Sequence, residues 1–315
     1  MRIISLLPSN TELACALGLA DQVVGISHEC DYPTEIKNRP VLTLSRLAPA
    51  AEPTPDLSDG QTRTEQIHEQ VSKQLRTAHS LYQINQSLLE SLHPNLILTQ
   101  AKCEVCAVDY DEVESAVQKL PPPRPKILSF QPNSLEDLFH DLQVIAKETK
   151  REDQADRLIA QWRQRIEKIQ KSVKSVPNRP RVLMVEWLKP LMAAGSWTPG
   201  LVHLAGGEQG LNPGPGKAKK ITWEQVRQYN PEVIVLIPCG FSVARTLQDL
   251  PLLTSMEGWD KLSAVHSGKV FVVDGSQYFN RPGPRLIESL EILAVIIHPS
   301  FFSSPLFKQD VVSLF

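Results

Sequence analysis

SLLESLHPNLILTQ, residues 87–100, and WEQVRQYNPEVIVLIP, residues 223–238, share one grammar. In each, a segment of helical period runs into a proline and then into a short apolar strand, Asn95–Thr99 in the first and Glu232–Ile237 in the second. Proline ends the helix and biases its predecessor toward extended backbone. Working outward, the apolar strand Arg2–Leu7 precedes the first stretch and Lys126–Phe130 follows it; Arg181–Trp187 and Lys269–Val273 flank the second. A further strand is expected at Val23–Ser27. Short, nearly continuous apolar strands alternating with helices imply parallel sheets buried on both faces.

Between the repeats, residues 134–175 place Leu135, Leu138, Phe139, Leu142, Ile145, Leu158, Ile159, Trp162, Ile166 and Ile169 at three- and four-residue spacing. That spacing predicts an amphipathic helix capped by Ser134 and stopped by Pro177 and Pro180. The expected fold is α/β: two Rossmann-like lobes, 1–133 and 177–315, joined by one long helix over 134–176, with a ligand cleft between the lobes. Two stretches, 48–62 and 206–220, lack apolar periodicity and read as loops.

Composition narrows the function classes. The 315 residues are 42% hydrophobic and 22% charged, ordinary for a globular protein, and 33 basic against 35 acidic residues leave a formal charge of −2. This gives no electrostatic ground for nucleic acid or an anionic membrane as partner. No apolar run approaches the roughly 20 residues of a membrane helix, so direct membrane insertion is not expected. A cytoplasmic location follows if Met1 is the native start, and a periplasmic or other extracytoplasmic one if a leader was removed. Five cysteines, an odd count in a chain of this length, argue against a disulfide scaffold. P-loop, nucleotide-binding glycine and Gly-x-Ser-x-Gly signatures are lacking, and the chain is not expected to be an enzyme.

In open α/β sheets ligands bind beyond the carboxyl ends of the strands. The loops to inspect are therefore Pro8–Glu12, His28–Pro33 and Gln100–Cys106 in the first lobe. In the second they are Glu186-Trp187, Pro238–Phe241 and Asp274–Phe279. Residues 2–18 (RIISLLPSNTELACALG), 27–33 (SHECDYP), 93–100 (HPNLILTQ) and 280–293 (NRPGPRLIESLEIL) resemble the solute-binding components of ABC importers for vitamin B12 (corrinoids) and iron siderophores. The likeness spans nearly the whole chain.

That resemblance implies non-catalytic binding of a small-molecule ligand, a corrinoid or a related haem or siderophore chelate, and no required cofactor. The strand-end loops and the residues just beyond them offer Pro8, Ser9, His28, Glu29, Tyr32, Gln100, Glu186, Trp187, Phe241, Tyr278, Phe279 and Arg281 for ligand contact. Tyr32, Trp187, Tyr278 and Phe279 are the aromatics expected to line a corrin; after the Asn95–Thr99 strand an aromatic is replaced by Gln100. The resemblance also implies ABC importer membrane subunits as partner, docked through a glutamate near a helix start in each lobe. Glu224 matches in the second lobe, whereas the first lobe has Ser87.

Several motifs carry structural readings beside functional ones. Ser9-Asn10-Thr11-Glu12 fits a capping box, and the same helix start can offer N–H groups to an anionic ligand group. Cys103-x-x-Cys106 has metal or redox spacing. With Cys30 and Cys239 on neighbouring strand-end loops, four thiols are candidates for a metal or iron–sulfur centre; inert packing is the alternative. His28 reads either as a hydrogen-bonding loop residue or as an imidazole donor to cobalt or iron. Two functions are thus carried forward: chelate binding, and a cytosolic metal or iron–sulfur redox protein on the same scaffold.

Overall fold

The computed structural model describes residues 1–46, 63–77, 81–100, 108–176 and 178–314. The chain divides into two compact units, Met1–Gln131 with Asp137–Asp156, and Pro132–Glu136 with Arg157–Phe315. The loop expected at 48–62 lies outside the described residues, as do Cys103 and Cys106.

The strands of the first unit are β1 (Ile3–Ser5), β2 (Val23–Ile26), β3 (Thr43–Ser45), β4 (Tyr82–Ile84), β5 (Leu96–Gln100) and β6 (Lys126–Phe130). Four of them form a wholly parallel sheet in the order β2-β1-β5-β6, and β3 and β4 pair antiparallel beside it. Pairing Ile3 with Leu96 and Ser5 with Leu98 aligns β1 and β5. The helices are α1 (Pro8–Ala16), α2 (Arg63–Thr77), α3 (Gln86–Ser91) and α4 (Tyr110–Gln118). Ile4, Leu6, Leu89, Ile97, Val113 and Val117 meet in one core, which explains why β1 and β5 read as unbroken apolar runs.

Next come α5 (Leu135–Thr149) and α6 (Glu152–Val173), and here the expectation of one long helix is corrected. Lys150 adopts a left-handed φ of 56°, and the Arg151 N–H closes back on the Ala146 carbonyl at 2.8 Å. A left-handed residue ends a helix, and glycine is its usual signal. A lysine in that position left the break invisible to pattern reading.

The second unit holds β7 (Val182–Trp187), β8 (Met192–Ala193), β9 (Lys219–Lys220), β10 (Val233–Leu236), β11 (Val270–Val273) and β12 (Val311–Ser313). Their order is β12-β11-β10-β7-β8-β9, with β7, β10 and β11 parallel and the rest antiparallel. Its helices are α7 (Thr198–Leu204), α8 (Trp223–Tyr229), α9 (Val243–Gln248), α10 (Pro251–Thr254), α11 (Ser263–His266), α12 (Leu286–Ile297) and α13 (Pro305–Asp310). Helix α12, LIESLEILAVII, is buried over ten of its residues, as expected of a helix apolar on almost every face. Arg165 on α6 grips Glu291 on α12 through two 2.8 Å bonds. Among the described residues no helix is long and apolar enough to cross a membrane.

Candidate ligand-binding site

In the first unit the carboxyl ends of β1 and β2 carry a buried polar network. Thr11 Oγ1 lies 2.8 Å from Ser5 Oγ, 3.1 Å from the Leu7 carbonyl and 3.1 Å from Cys30 Sγ; Cys30 Sγ lies 3.3 Å from Ser27 Oγ. Asn10 Nδ2 donates to the Thr99 carbonyl at 3.0 Å, tying α1 to the end of β5. The capping-box reading of Ser9 is corrected. Helix α1 starts two residues earlier, with Pro8 in its first turn and Leu7 at the cap, and no side chain caps it. Proline's fixed φ suits a first helical position, and this draws Ser9 into the helix. Pro8 and Ser9 are both buried, and Ser9 Oγ has no hydrogen-bond partner among the described residues.

His28 follows β2 with its side chain 28% exposed. Its backbone N–H donates to Thr43 Oγ1 at 2.9 Å, and its Nδ1 meets the same hydroxyl at 2.6 Å. Its Nε2 is 3.4 Å from Glu29 Oε1, and its ring tilts against Tyr82 at 4.7 Å. Burial pushes the imidazole below its ordinary pKa, opposed by the Glu29 carboxylate. An imidazole offers Nε2 to a metal only with its proton on Nδ1, whereas the Glu29 carboxylate beside Nε2 favours the proton there. Tyr32 is 48% exposed, Glu29 is exposed, and Gln100 sits half-buried at the end of β5.

Cys30 is buried, and Cys239 lies half-buried in the other unit. The described residues contain no group of three or more His, Cys, Asp or Glu side chains placed to hold a metal. Cys15, on α1, has its pKa pushed up to about 12 by burial and the nearby Glu35, Cys30 and Glu12. The half-buried Cys15 therefore stays a thiol.

In the second unit the ends of β7, β10 and β11 are sewn together. The Ile237 N–H bonds the Val185 carbonyl at 2.9 Å and the Cys239 N–H bonds the Glu186 carbonyl at 3.2 Å. Glu186 Oε2 accepts from the Gly195 N–H at 3.2 Å. Asn280 Nδ2 reaches both the Ile237 and Pro238 carbonyls, at 3.2 and 3.3 Å.

Trp187 stands half-exposed at the end of β7, its indole N–H held by the Lys189 carbonyl at 2.9 Å. Phe241, expected at the ligand surface, is instead buried at 5% exposure and packs behind Trp187, ring centres 5.3 Å apart and planes tilted by 53°. Two other expected wall aromatics are corrected. Tyr278 and Phe279 are only 2% and 1% exposed. The Tyr278 hydroxyl donates to Asp310 Oδ2 at 2.8 Å, and the Phe279 carbonyl accepts from Trp197 Nε1 at 2.7 Å. Both anchor the turn between β11 and α12. Burial and Asp310 push the Tyr278 phenol above its ordinary range. Arg281 lies half-buried just past that turn.

Glu224 and Ser87 both occupy the second residue of their helices, α8 and α3. Glu224 is exposed and paired with Arg227 at 3.2 Å, while Ser87 Oγ donates to Asn85 Oδ1 at 2.9 Å. Sequence reasoning missed Arg245, whose guanidinium lies 4.7 Å from the Phe241 ring centre. The spacing Arg245-x-x-x-Asp249, one helical turn, was the available signal for the ion pair, whereas the Phe241 contact crosses the helix cap and has no such mark.

One unit holds a parallel sheet and the other a mixed sheet with a parallel centre, where parallel sheets were expected in both, and functional groups stand at the strand ends of each. The profile described as periplasmic binding protein matches residues 3–276. The chain belongs to that family. A relative in Bacillus subtilis (strain 168), an uncharacterized ABC transporter substrate-binding lipoprotein YvrC, is 24% identical over 307 residues, covering 96% of this chain and 81% of its own length. The vitamin B12-binding protein of Photorhabdus laumondii is 23% identical over 296 residues, covering 93% and 86%. Among solved structures, a periplasmic heme-binding protein from Pseudomonas aeruginosa superposes with a TM-score of 0.67 at 20% identity, covering 97% and 96%.

The family bears out the resemblance read from the sequence, and with it the two-unit α/β fold. The protein is a solute-binding protein and not an enzyme. Nothing in these comparisons supports a cytosolic location or the cytosolic metal or iron–sulfur alternative.

Proposed function

We propose that this protein binds a corrinoid, or a closely related haem-type macrocycle, as the extracytoplasmic receptor of an ABC importer. The single observation that carries the reading is the aromatic wall at the end of β7, half-exposed Trp187 backed by Phe241 at 5.3 Å. A flat, largely apolar ring matches such a surface, and concave sites rely on aromatic faces with a few polar groups for orientation. The names of relatives and structural neighbours, vitamin B12-binding and heme-binding, agree with that ligand class. His28, held at Nδ1 by Thr43 Oγ1, is the imidazole that would meet cobalt or iron in the ring, its Nε2 exchanging the Glu29 carboxylate for the metal. Glu224, exposed in the first turn of α8, is the contact offered to the importer's membrane subunits.

The test is a fluorescence titration of the purified protein with cyanocobalamin, hemin and a ferric siderophore. Of the five tryptophans, Trp187 should report most of the quenching, so W187F should lose most of the signal and bind more weakly. Absence of saturable binding to all three chelates refutes the reading. Saturation by the siderophore alone moves the ligand class away from flat macrocycles.

A further inference from the structure

We infer that Arg245 is a positioning residue for the ligand wall, holding Phe241 and through it Trp187 at the pitch a flat macrocycle needs. The inference rests on the proposed function above and concerns a residue that touches no ligand. Arg245 Cζ lies 4.7 Å from the centre of the Phe241 ring. Its two terminal nitrogens are taken by Asp249, Nη1 to Oδ1 at 2.9 Å and Nη2 to Oδ2 at 2.8 Å, and Nη1 also reaches Gln248 Oε1 at 3.3 Å. The pair is sheltered, with side chains 19% and 8% exposed.

The backbone is fixed as well. Ser242 caps α9 by accepting the Arg245 N–H at 3.2 Å, and the Phe241 N–H closes a turn on the Pro238 carbonyl at 3.2 Å. Arg245 Nε, in contrast, is buried with no hydrogen-bond partner among the described residues. An arginine free to choose its rotamer by hydrogen bonding would satisfy Nε. Here the fork on Asp249 and the face on Phe241 set the geometry instead, the arrangement of a planar cation stacked on a ring.

Two consequences separate this role from others. With its fork occupied by Asp249, Arg245 is not the cation that greets an acidic group of the ligand. And because its effect passes through Phe241, it vanishes when Phe241 is removed.

The experiment compares R245M, R245K and F241L, with the double variant R245M/F241L, against wild type at a temperature where all are folded. Dissociation constants for cyanocobalamin and hemin are read by fluorescence titration. The near-UV circular dichroism band of Trp187, defined by its loss in W187F, is read without ligand. R245M should weaken binding by about five- to tenfold and diminish the Trp187 band. R245K, which keeps the cation and loses the planar fork, should fall between. In the F241L background, R245M should add little further loss.

Unchanged binding in R245M overturns the inference, as does an equal loss in both backgrounds. A lowered melting temperature with the band and affinity intact marks a merely structural residue and also overturns it. If wild type binds neither chelate, the proposed function fails. The band alone then decides, its persistence in R245M counting against the positioning role and its loss for it.

Discussion

A β-carbon at Gly275 would lie 2.5 Å from Asn280 Nδ2 and 2.6 Å from each of the Ile237 and Pro238 carbonyl oxygens. The two oxygens belong to backbone at the end of β10 and cannot swing aside as a flexible side chain would. Gly275 is therefore the residue that lets Asn280 staple the β10 and β11 loops together. Gly275→Ala should cost about 2 kcal/mol, the usual scale for forcing a methyl into packed space. Urea unfolding followed by far-UV circular dichroism reads it, and a midpoint equal to wild type would contradict the staple. The glycine is visible in the sequence, but its neighbours come from a loop 38 positions earlier, so no local pattern marks it.

At the level of elements, caps decide where helices start, and two of them contrast. On α8, Thr222 accepts from the Gln225 N–H at 3.2 Å and Gln225 Oε1 accepts from the Thr222 N–H at 2.8 Å, a complete capping box. Thr222→Ala should destabilise the protein by about 1 kcal/mol, with Thr222→Ser near wild type. Thermal unfolding at equal values for Ala and Ser would sink this account. On α1 the similar string Ser9–Glu12 caps nothing, because Pro8 opens the helix earlier. The same sequence motif thus serves at one site and fails at the other. What differs is the residue before it, Ile221 ahead of Thr222 but a helix-ready proline ahead of Ser9.

For the molecule as a whole, one buried carboxyl couples stability to pH. Asp141 on α5 is 7% exposed, and burial together with the nearby Asp137 raises its pKa from 3.8 to about 7. The folded state holds this proton more tightly than the unfolded chain does. Its contribution is therefore fully present below pH 3.8 and is lost as pH rises through about 7. Asp141→Asn, which cannot ionise, should gain about 2–4 °C in Tm over wild type at about pH 8, and that advantage should shrink steadily toward about pH 4. A Tm difference independent of pH over that range would rule out the titration of Asp141 as its cause.

The sequence alone determined the α/β class, the positions of the main parallel strands and the family, because strand period, proline breaks and motif order are local properties of the chain. Strands β5, β6, β7, β10 and β11 fall within a residue or so of their expected places. Only the tertiary structure decided which strand-end side chains stand open. It sent Tyr278 and Phe279 inward onto Asp310 and Trp197, left Trp187 half-exposed, and set Arg245 behind Phe241. It also broke the linking helix at Lys150. The physical reason is common to all of these. Burial, a cross-loop hydrogen bond and a left-handed stop depend on what the rest of the fold places nearby, and residue type at one position does not encode that.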